Sequence, residues 1–161
     1  MDNVKQVYDI AIVGGGPAGL TAGLYARRAN RSVLILEKAT FGGQITFSPK
    51  VENIPGFPVL SGNEFAERLV DQVLALGAEM ESAEVLGMEP AEGGWLIHTD
   101  GGDFAGRTVI LATGAPPKKL GVQGEAEMLG RGVHYYAACR SMMYKRKTVA
   151  VIGDGEQAAE A

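Results

Sequence analysis

Three features of this 161-residue sequence carry residue types that could do chemistry at their spacing. The first is Gly14-Gly15-Gly16-Pro17-Ala18-Gly19, a G-x-G-x-x-G. In such a loop Gly14 permits a tight turn out of a strand, Gly16 lets the backbone approach a pyrophosphate, and Gly19 lets the next helix pack closely. The helix N-terminus, with Pro17 and Ala18 at its start, offers amides and partial positive charge to phosphates. Glu37 follows 18 residues after Gly19, where a carboxylate can bind ribose hydroxyls. The second feature is Gly153-Asp154-Gly155-Glu156-Gln157-Ala158, a G-x-G-x-x-A. The third is Cys139, the one cysteine. It excludes an internal disulfide framework and a multi-cysteine zinc site, and reads either as a redox-responsive thiol or as a small buried residue. His98 and His134 make no metal motif, so no metal is expected.

These residues need elements to position them. Tyr8 to Val13 is a short apolar, β-branched run that reads as a buried parallel strand. Ala18 to Ala29 reads as a helix with Arg27 and Arg28 near its end, where cations suit the helix dipole. Ser32 to Leu36 is a second buried strand, so one βαβ unit carries the first glycine loop and Glu37. Phe41 to Pro58 has no clear period, and a loop that long in a compact domain is uncommon unless it has a task. Ser61 to Leu76 returns to helical spacing, with Phe65, Leu69, Val73 and Leu76 on one face. Ser61 and Glu64 form a capping-box signature. Glu84 to Met88, Trp95 to Thr99 and Phe104 to Ala112 are split by Glu92-Gly93-Gly94 and Asp100-Gly101-Gly102, which predicts a three-strand antiparallel meander. Thr148 to Ile152 reads as another buried strand, leading into the second glycine loop.

Composition bounds the answer. Glycine makes up 23 residues, about 14% against a usual ~7%, and it is clustered into loops. The net charge is −4. A mildly acidic chain without a basic stripe argues against nucleic acid as a partner. No apolar run approaches a spanning helix and the N-terminus has no signal-peptide core. The expectation is a cytoplasmic protein with no membrane partner.

Two dinucleotide motifs with a meander between them suggest a flavin domain followed by a nicotinamide domain. The motifs resemble the N-terminal half of the low-molecular-weight thioredoxin reductases. The resemblance runs through Asp9–Leu20, Leu36-Glu37-Lys38, Phe41–Ile45, Val51–Gly56, Val109–Ala115, Gly132–Cys139 and Lys147–Gly153. It implies an α/β fold: a three-layer FAD-binding Rossmann-like domain with an antiparallel β-meander over residues 1–117, and the start of a second Rossmann-like NAD(P)H domain over 118–161. It also implies two cofactors, FAD and NAD(P)H. Gly14, Gly16, Pro17, Ala18 and Gly19 would hold the FAD pyrophosphate, and Glu37, with Lys38 beside it, the adenosine ribose. Gly43, Gln44 and Asn53 would lie along the flavin and ribityl side, and Glu84 and Val85 would present backbone to the adenine. Ala112, Thr113 and Gly114 would make a second FAD contact. Gly153 and Gly155 would begin the nicotinamide-nucleotide site.

Two departures qualify the resemblance. The family carries C-x-x-C where this chain has Tyr136-Ala137-Ala138-Cys139. Dithiol exchange needs one thiolate to attack and a second to resolve, so Cys139 alone cannot complete that cycle. The chain also stops six residues after Gly155, within the second nucleotide unit. Three origins stay open: a fragment, a truncated gene product, or half of a split enzyme. If whole, it exposes apolar surface and is expected to self-associate or form a homodimer. The function expected is a flavin-dependent oxidoreductase passing electrons from NAD(P)H to a redox protein acceptor without an intramolecular dithiol. The alternatives are a reductase exchanging electrons with a ferredoxin-like partner, and a non-catalytic FAD-binding piece.

Overall fold

The structure, a computed structural model, describes residues 6–115, 118–135 and 144–153. Val7–Val13 form β1, Pro17–Arg28 form α1 and Val33–Glu37 form β2. β1 and β2 pair in parallel, Ile10 opposite Val33 and Val13 opposite Leu36. Val33 to Leu36 are all buried, which happens when a strand is covered on both faces.

Helices cover the first face. α2 spans Gly62–Ala75, and Val73 joins Ile12, Leu20, Val33 and Ile35 in one apolar cluster. Ser61 caps α2, its hydroxyl accepting from the Glu64 amide at 3.1 Å. The Glu64 carboxylate meets Arg68 one turn on, at 2.8 Å, so the expected box has its Ser61 half. The Arg27 guanidinium ties both helix ends together: Nε donates to the Leu76 carbonyl at 2.8 Å and Nη1 to that of Arg31 at 2.6 Å.

Strands Glu79–Ser82 (β3), Val85–Ala91 (β4), Gly94–Thr99 (β5) and Gly102–Leu111 (β6) complete one sheet, ordered β3-β2-β1-β6-β5-β4. β3, β2, β1 and β6 run parallel, while β6, β5 and β4 form the antiparallel meander. The second face is covered by that meander: Ile97, Phe104 and Val85 pack with Tyr8, Ala11, Leu34 and Leu36. The layers are therefore helices, parallel sheet and meander. β6 belongs to both ladders, because Ala105 and Gly106 face Val7 and Tyr8 on one side and Leu96 and Trp95 on the other. β3 was not expected from the sequence. It is a four-residue edge strand, Glu-Met-Glu-Ser, without the apolar alternation that marks a half-buried strand.

Polar locks fix the register at the start of the sheet. The Ser32 amide and hydroxyl donate to Asp9 Oδ2 at 2.9 and 3.0 Å, and they hold the Asp9 carboxyl below its usual range. The Tyr8 phenol donates to Glu79 Oε2 at 2.7 Å, and burial pushes its pKa up.

The chain divides into two compact units, Met1–Ala115 and Pro116–Ala161. In the second, Glu125–Met128 forms a single helical turn, α3, and Leu129 bridges Val133. Glu125 is buried, and its carboxylate accepts from the Leu120 amide at 2.8 Å, the Gly121 amide at 2.6 Å and the Tyr135 hydroxyl. The His134 and Tyr144 rings meet edge to face, 5.4 Å between centroids. Thr148 to Ile152 corrects an expectation. It forms no strand, and Val149, Val151 and Ile152 are exposed. A strand needs a ladder partner, and among the described residues of this unit only the Leu129–Val133 bridge pairs.

Candidate functional site

The first unit brings four separate chain segments to the C-terminal end of β1. The first is the glycine loop. Gly14 leaves β1 with φ of 111°, and a Cβ there would overlap the Ala112 carbonyl oxygen. A Cβ on Gly19 would overlap the Gly14 carbonyl oxygen. Both glycines are therefore required by the fold itself. Gly16 differs: an added Cβ would find nothing nearer than the Gly43 Cα at 4.0 Å. Its open face is the one position in the motif left clear for something other than this unit's own packing.

Helix α1 starts here with Gly16 as N-cap and Pro17 in its first turn, without a side-chain cap and without an acid. α2 closes its own N-terminus with Ser61 and carries Glu64. The first-turn amides of a helix need partners and carry partial positive charge. Of the two long helices, α1 is thus the one built to receive an anion.

The second segment is the end of β2. Glu37 Oε2 accepts from the Gly15 amide at 2.7 Å, and Oε1 accepts from the Ala39 amide at 2.9 Å. The carboxylate is held beside the loop by two backbone donors. Next to it, Lys38 Nζ pairs with Glu84 Oε1 at 3.2 Å. The Glu84 amide donates to Asp100 Oδ1 at 2.8 Å, and its carbonyl accepts from the Asp100 amide at 3.1 Å. Both backbone groups of Glu84 are thus engaged by the β5–β6 turn. Val85 is half-buried and opposite Thr99.

The third segment is the long loop, which contains a 3-10 turn at Gly43–Phe47. The Gly42 amide donates to the Gly15 carbonyl at 2.7 Å. Gly43, with φ of 63°, lies so close to the glycine loop that a Cβ would stand 3.1 Å from the Gly16 Cα. The end of β6 arrives alongside. The Ala112 amide donates to the Val13 carbonyl at 2.8 Å, and a Cβ on Gly14 would come within 3.1 Å of the Thr113 nitrogen. Gln44 Nε2 lies 3.7 Å from where a Gly114 Cβ would be. Gly14, Gly16, Gly19, Glu37, Gly43, Gln44, Ala112, Thr113 and Gly114 are therefore neighbours.

Other expected residues are not brought in. Asn53 is exposed between two isolated bridges, Val51–Leu60 and Ile54–Phe57, and among the described residues no hydrogen bond ties it to the glycine loop. Gly153 is exposed in the second unit. Tyr136, Cys139 and Gly155 lie outside the described residues. Two residues of the Phe41–Ile45 stretch have roles that the sequence did not assign. Gly42 carries the link to Gly15, and the Phe41 ring packs against Gly15, 2.6 Å from where its Cβ would stand. The signal for both was their place in the motif with Gly43 and Gln44; the contact of Phe41 with Gly15 was not among the roles it implied. A depression of about 550 Å3 lies between Phe41, Thr46 and the Ala66, Glu67 and Val70 stretch of α2, and none of Gly14, Gly16, Gly19 or Glu37 lines it. Among the described residues no helix is long and apolar enough to cross a membrane, and no group of three or more acidic, His or Cys side chains could hold a metal ion.

A family model described as pyridine nucleotide-disulphide oxidoreductase matches residues 8–161. The chain is 42% identical over 154 residues to a thioredoxin reductase of Treponema pallidum, covering 95% of this chain and 50% of that protein. It is 37% identical over 156 residues to one of Bacillus subtilis, covering 97% and 49%. It spans about half the length of the curated relatives it matches. Among solved structures, a thioredoxin reductase from Streptococcus pyogenes superposes with a TM-score of 0.76 at 38% identity, covering 86% of this chain and 45% of that one. A ferredoxin-flavin thioredoxin reductase from Clostridium acetobutylicum gives 0.65 at 31%, covering 96% and 54%.

Proposed function

This chain belongs to the pyridine nucleotide-disulphide oxidoreductase family, and from that premise we propose that it serves as an FAD-dependent oxidoreductase of the thioredoxin-reductase type, drawing on NAD(P)H and delivering electrons to a protein acceptor without an intramolecular dithiol. The observation that carries this reading is the meeting of three glycine-bearing segments at an uncapped helix N-terminus, with a carboxylate fixed beside them. The residues present fit a flavin dinucleotide. Gly16 leaves a cradle that a Cβ would fill, and α1 offers the first-turn amides of Ala18 and Gly19, next to Pro17, to a pyrophosphate. Glu37, held by Gly15 and Ala39, is oriented to accept from two ribose hydroxyls. Lys38 and Glu84, paired with each other, and Val85 flank the adenosine end. Gly43, Gln44 and the Ala112–Gly114 segment line the other end, and Asn53 would join them. FAD, when bound, supplies the ring that accepts a hydride; the protein supplies orientation and shelter from water. Gly153 and Gly155 would open the nicotinamide-nucleotide site.

The single cysteine favours an acceptor other than an internal disulfide, since thiol exchange needs two sulfurs. A ferredoxin-like partner is the second reading, favoured by the likeness to the Clostridium enzyme named above. A lone cysteine fits a reducing compartment such as the cytoplasm. Exposed apolar residues at the end of β6, with Leu111 at 61%, support self-association.

The test is the visible spectrum of the purified protein, taken anaerobically before and after NADPH. A flavin band that NADPH bleaches is expected. A chain without a flavin band, even after incubation with FAD and gel filtration, would refute the reading and leave a non-catalytic piece.

A further inference from the structure

The turn between β5 and β6 carries a chemistry that the proposed function does not use. Asp100 is followed by Gly101. In an Asp–Gly pair the glycine nitrogen can attack the carboxyl carbon of the preceding side chain, because no side chain of its own shields it. The nitrogen attacks only after giving up its proton, and the carboxyl must swing towards it. Whether the pair reacts therefore depends on what holds those two groups.

Both are held in this turn. The Gly101 amide donates to Thr99 Oγ1 at 3.2 Å, and the same hydroxyl donates to the Gly102 carbonyl at 2.6 Å. With its hydrogen committed to Gly102, the hydroxyl keeps a lone pair facing the Gly101 nitrogen. Thr99 itself is buried. On the other side, Asp100 Oδ1 accepts from the Glu84 amide at 2.8 Å, while the Asp100 amide donates to the Glu84 carbonyl at 3.1 Å. Glycine at 101 is not demanded by the backbone. Its φ lies outside the left-handed region, unlike that of Gly102 at 128°, and an added Cβ would stand 3.8 Å from Thr99 Oγ1, an ordinary contact.

We propose that Asp100-Gly101 is a backbone-isomerisation site, kept silent in the folded chain by the Thr99 hydroxyl and the Glu84 amide. The chemistry needs only water. A bond forms between the Gly101 nitrogen and Asp100 Cγ, and the carboxylic-acid OH leaves with the amide hydrogen as water, giving a succinimide. One water then adds at the former main-chain carbonyl and cleaves its bond to the Gly101 nitrogen. Atoms balance and nothing is oxidised or reduced. The main chain now runs through Cβ and Cγ, one atom longer, and the old main-chain carboxyl becomes the free group. Asp100 Oδ1 is then part of the peptide bond, so the Glu84 amide loses its acceptor. The site thus records opening of the turn as a covalent mark, whether or not the chain binds a flavin.

The test follows isoaspartate at Asp100 by tryptic mapping with fragmentation, in native and denatured samples aged side by side. Arg107 and Lys147 separate this pair from Asp154-Gly155, so each is read in its own peptide. Native wild type should convert at least about tenfold more slowly than denatured wild type, since reaction waits on local opening. Native T99V should convert about fivefold faster than native wild type, the ratio that one neutral hydrogen bond sets. T99S, which keeps the hydroxyl, should match wild type, and G101A should melt like wild type and convert more slowly when denatured. Hydrogen exchange on the aged, converted fraction should show the Glu84 amide unprotected with β4 to β6 still protected. The proposal falls if Asp100 does not convert in the denatured chain, if native and denatured wild type convert alike, or if folded T99V matches wild type. It falls equally if folded T99S converts several-fold faster than wild type, a comparison that stands even where T99V does not fold.

Discussion

The Gly15 amide donates to Glu37 Oε2 at 2.7 Å, so the glycine loop and the end of β2 are tied together by a charge-assisted hydrogen bond. The second oxygen is held by the Ala39 amide at 2.9 Å. A carboxylate fixed from two sides keeps its remaining lone pairs aimed outward.

Replacing Glu37 by Ala removes both acceptors at once. Hydrogen bonds to charged groups contribute about 1.5–3 kcal/mol each when intact; with Glu37 half-exposed, a net loss of about 2 kcal/mol is expected. FAD affinity should fall at least about tenfold. Glu37→Gln should keep much of the stability and lose part of the affinity. Thermal melts with and without FAD, alongside flavin titration, check both.

Within the glycine motif, stability and binding should separate by position. Gly19→Ala pushes a Cβ into the Gly14 carbonyl oxygen, so overpacking of about 1–3 kcal/mol is expected and the melting temperature drops. Gly16→Ala has room, so the melt of the flavin-free protein should barely move while FAD binding weakens. Equal destabilisation by both changes would mean that Gly16 serves packing and not a ligand.

Helix α1 has no cap of its own, so FAD should act as one. The melting temperature should rise with FAD concentration by mass action, gaining about 2.7 kcal/mol at a hundredfold excess over Kd. Gly16→Ala should flatten that dependence. Differential scanning fluorimetry across FAD concentrations measures it.

The meander should respond to pH through His98. Its Nδ1 lies 3.0 Å from Asp103 Oδ1 and its Nε2 3.8 Å from Glu89 Oε1. The Asp103 hydrogen bond, then the charges of Asp103 and Glu89, raise its pKa above 6.5. A raised folded-state pKa adds stability that is fully present below the ordinary histidine value and is lost as pH rises through the raised one. The melting temperature should therefore drift down as pH climbs past about 6.5, and H98Q should remove that part of the slope. An unchanged slope in H98Q would assign it elsewhere. NMR titration of His98 in D103N, which should shift back towards the ordinary value, gives an independent reading.

The βαβ unit was legible because three signals agreed on it: apolar runs, a glycine loop and an acid at the right distance. The meander was legible from its glycine turns. What escaped has physical reasons. β3 is polar and pairs on one side only, to β2, so no apolar pattern announces it. Phe41 serves by covering Gly15, a contact made across 26 residues that no local pattern encodes. Thr148–Ile152 has the composition of a strand, but composition supplies no partner.

β6 answers to two ladders at once. Ala105 and Gly106 are paired on both sides, and from Thr108 to Leu111 the strand rests on β1 alone. A slip of the hairpin would have to break both ladders together, and it would turn every side chain of β6 to the opposite face. Lengthening the Asp100–Gly102 turn should thus be absorbed where it occurs, leaving Ala112, Thr113 and Gly114 at their stations. The hairpin tips are free to diverge in sequence while the end of the strand that reaches the glycine loop keeps its address.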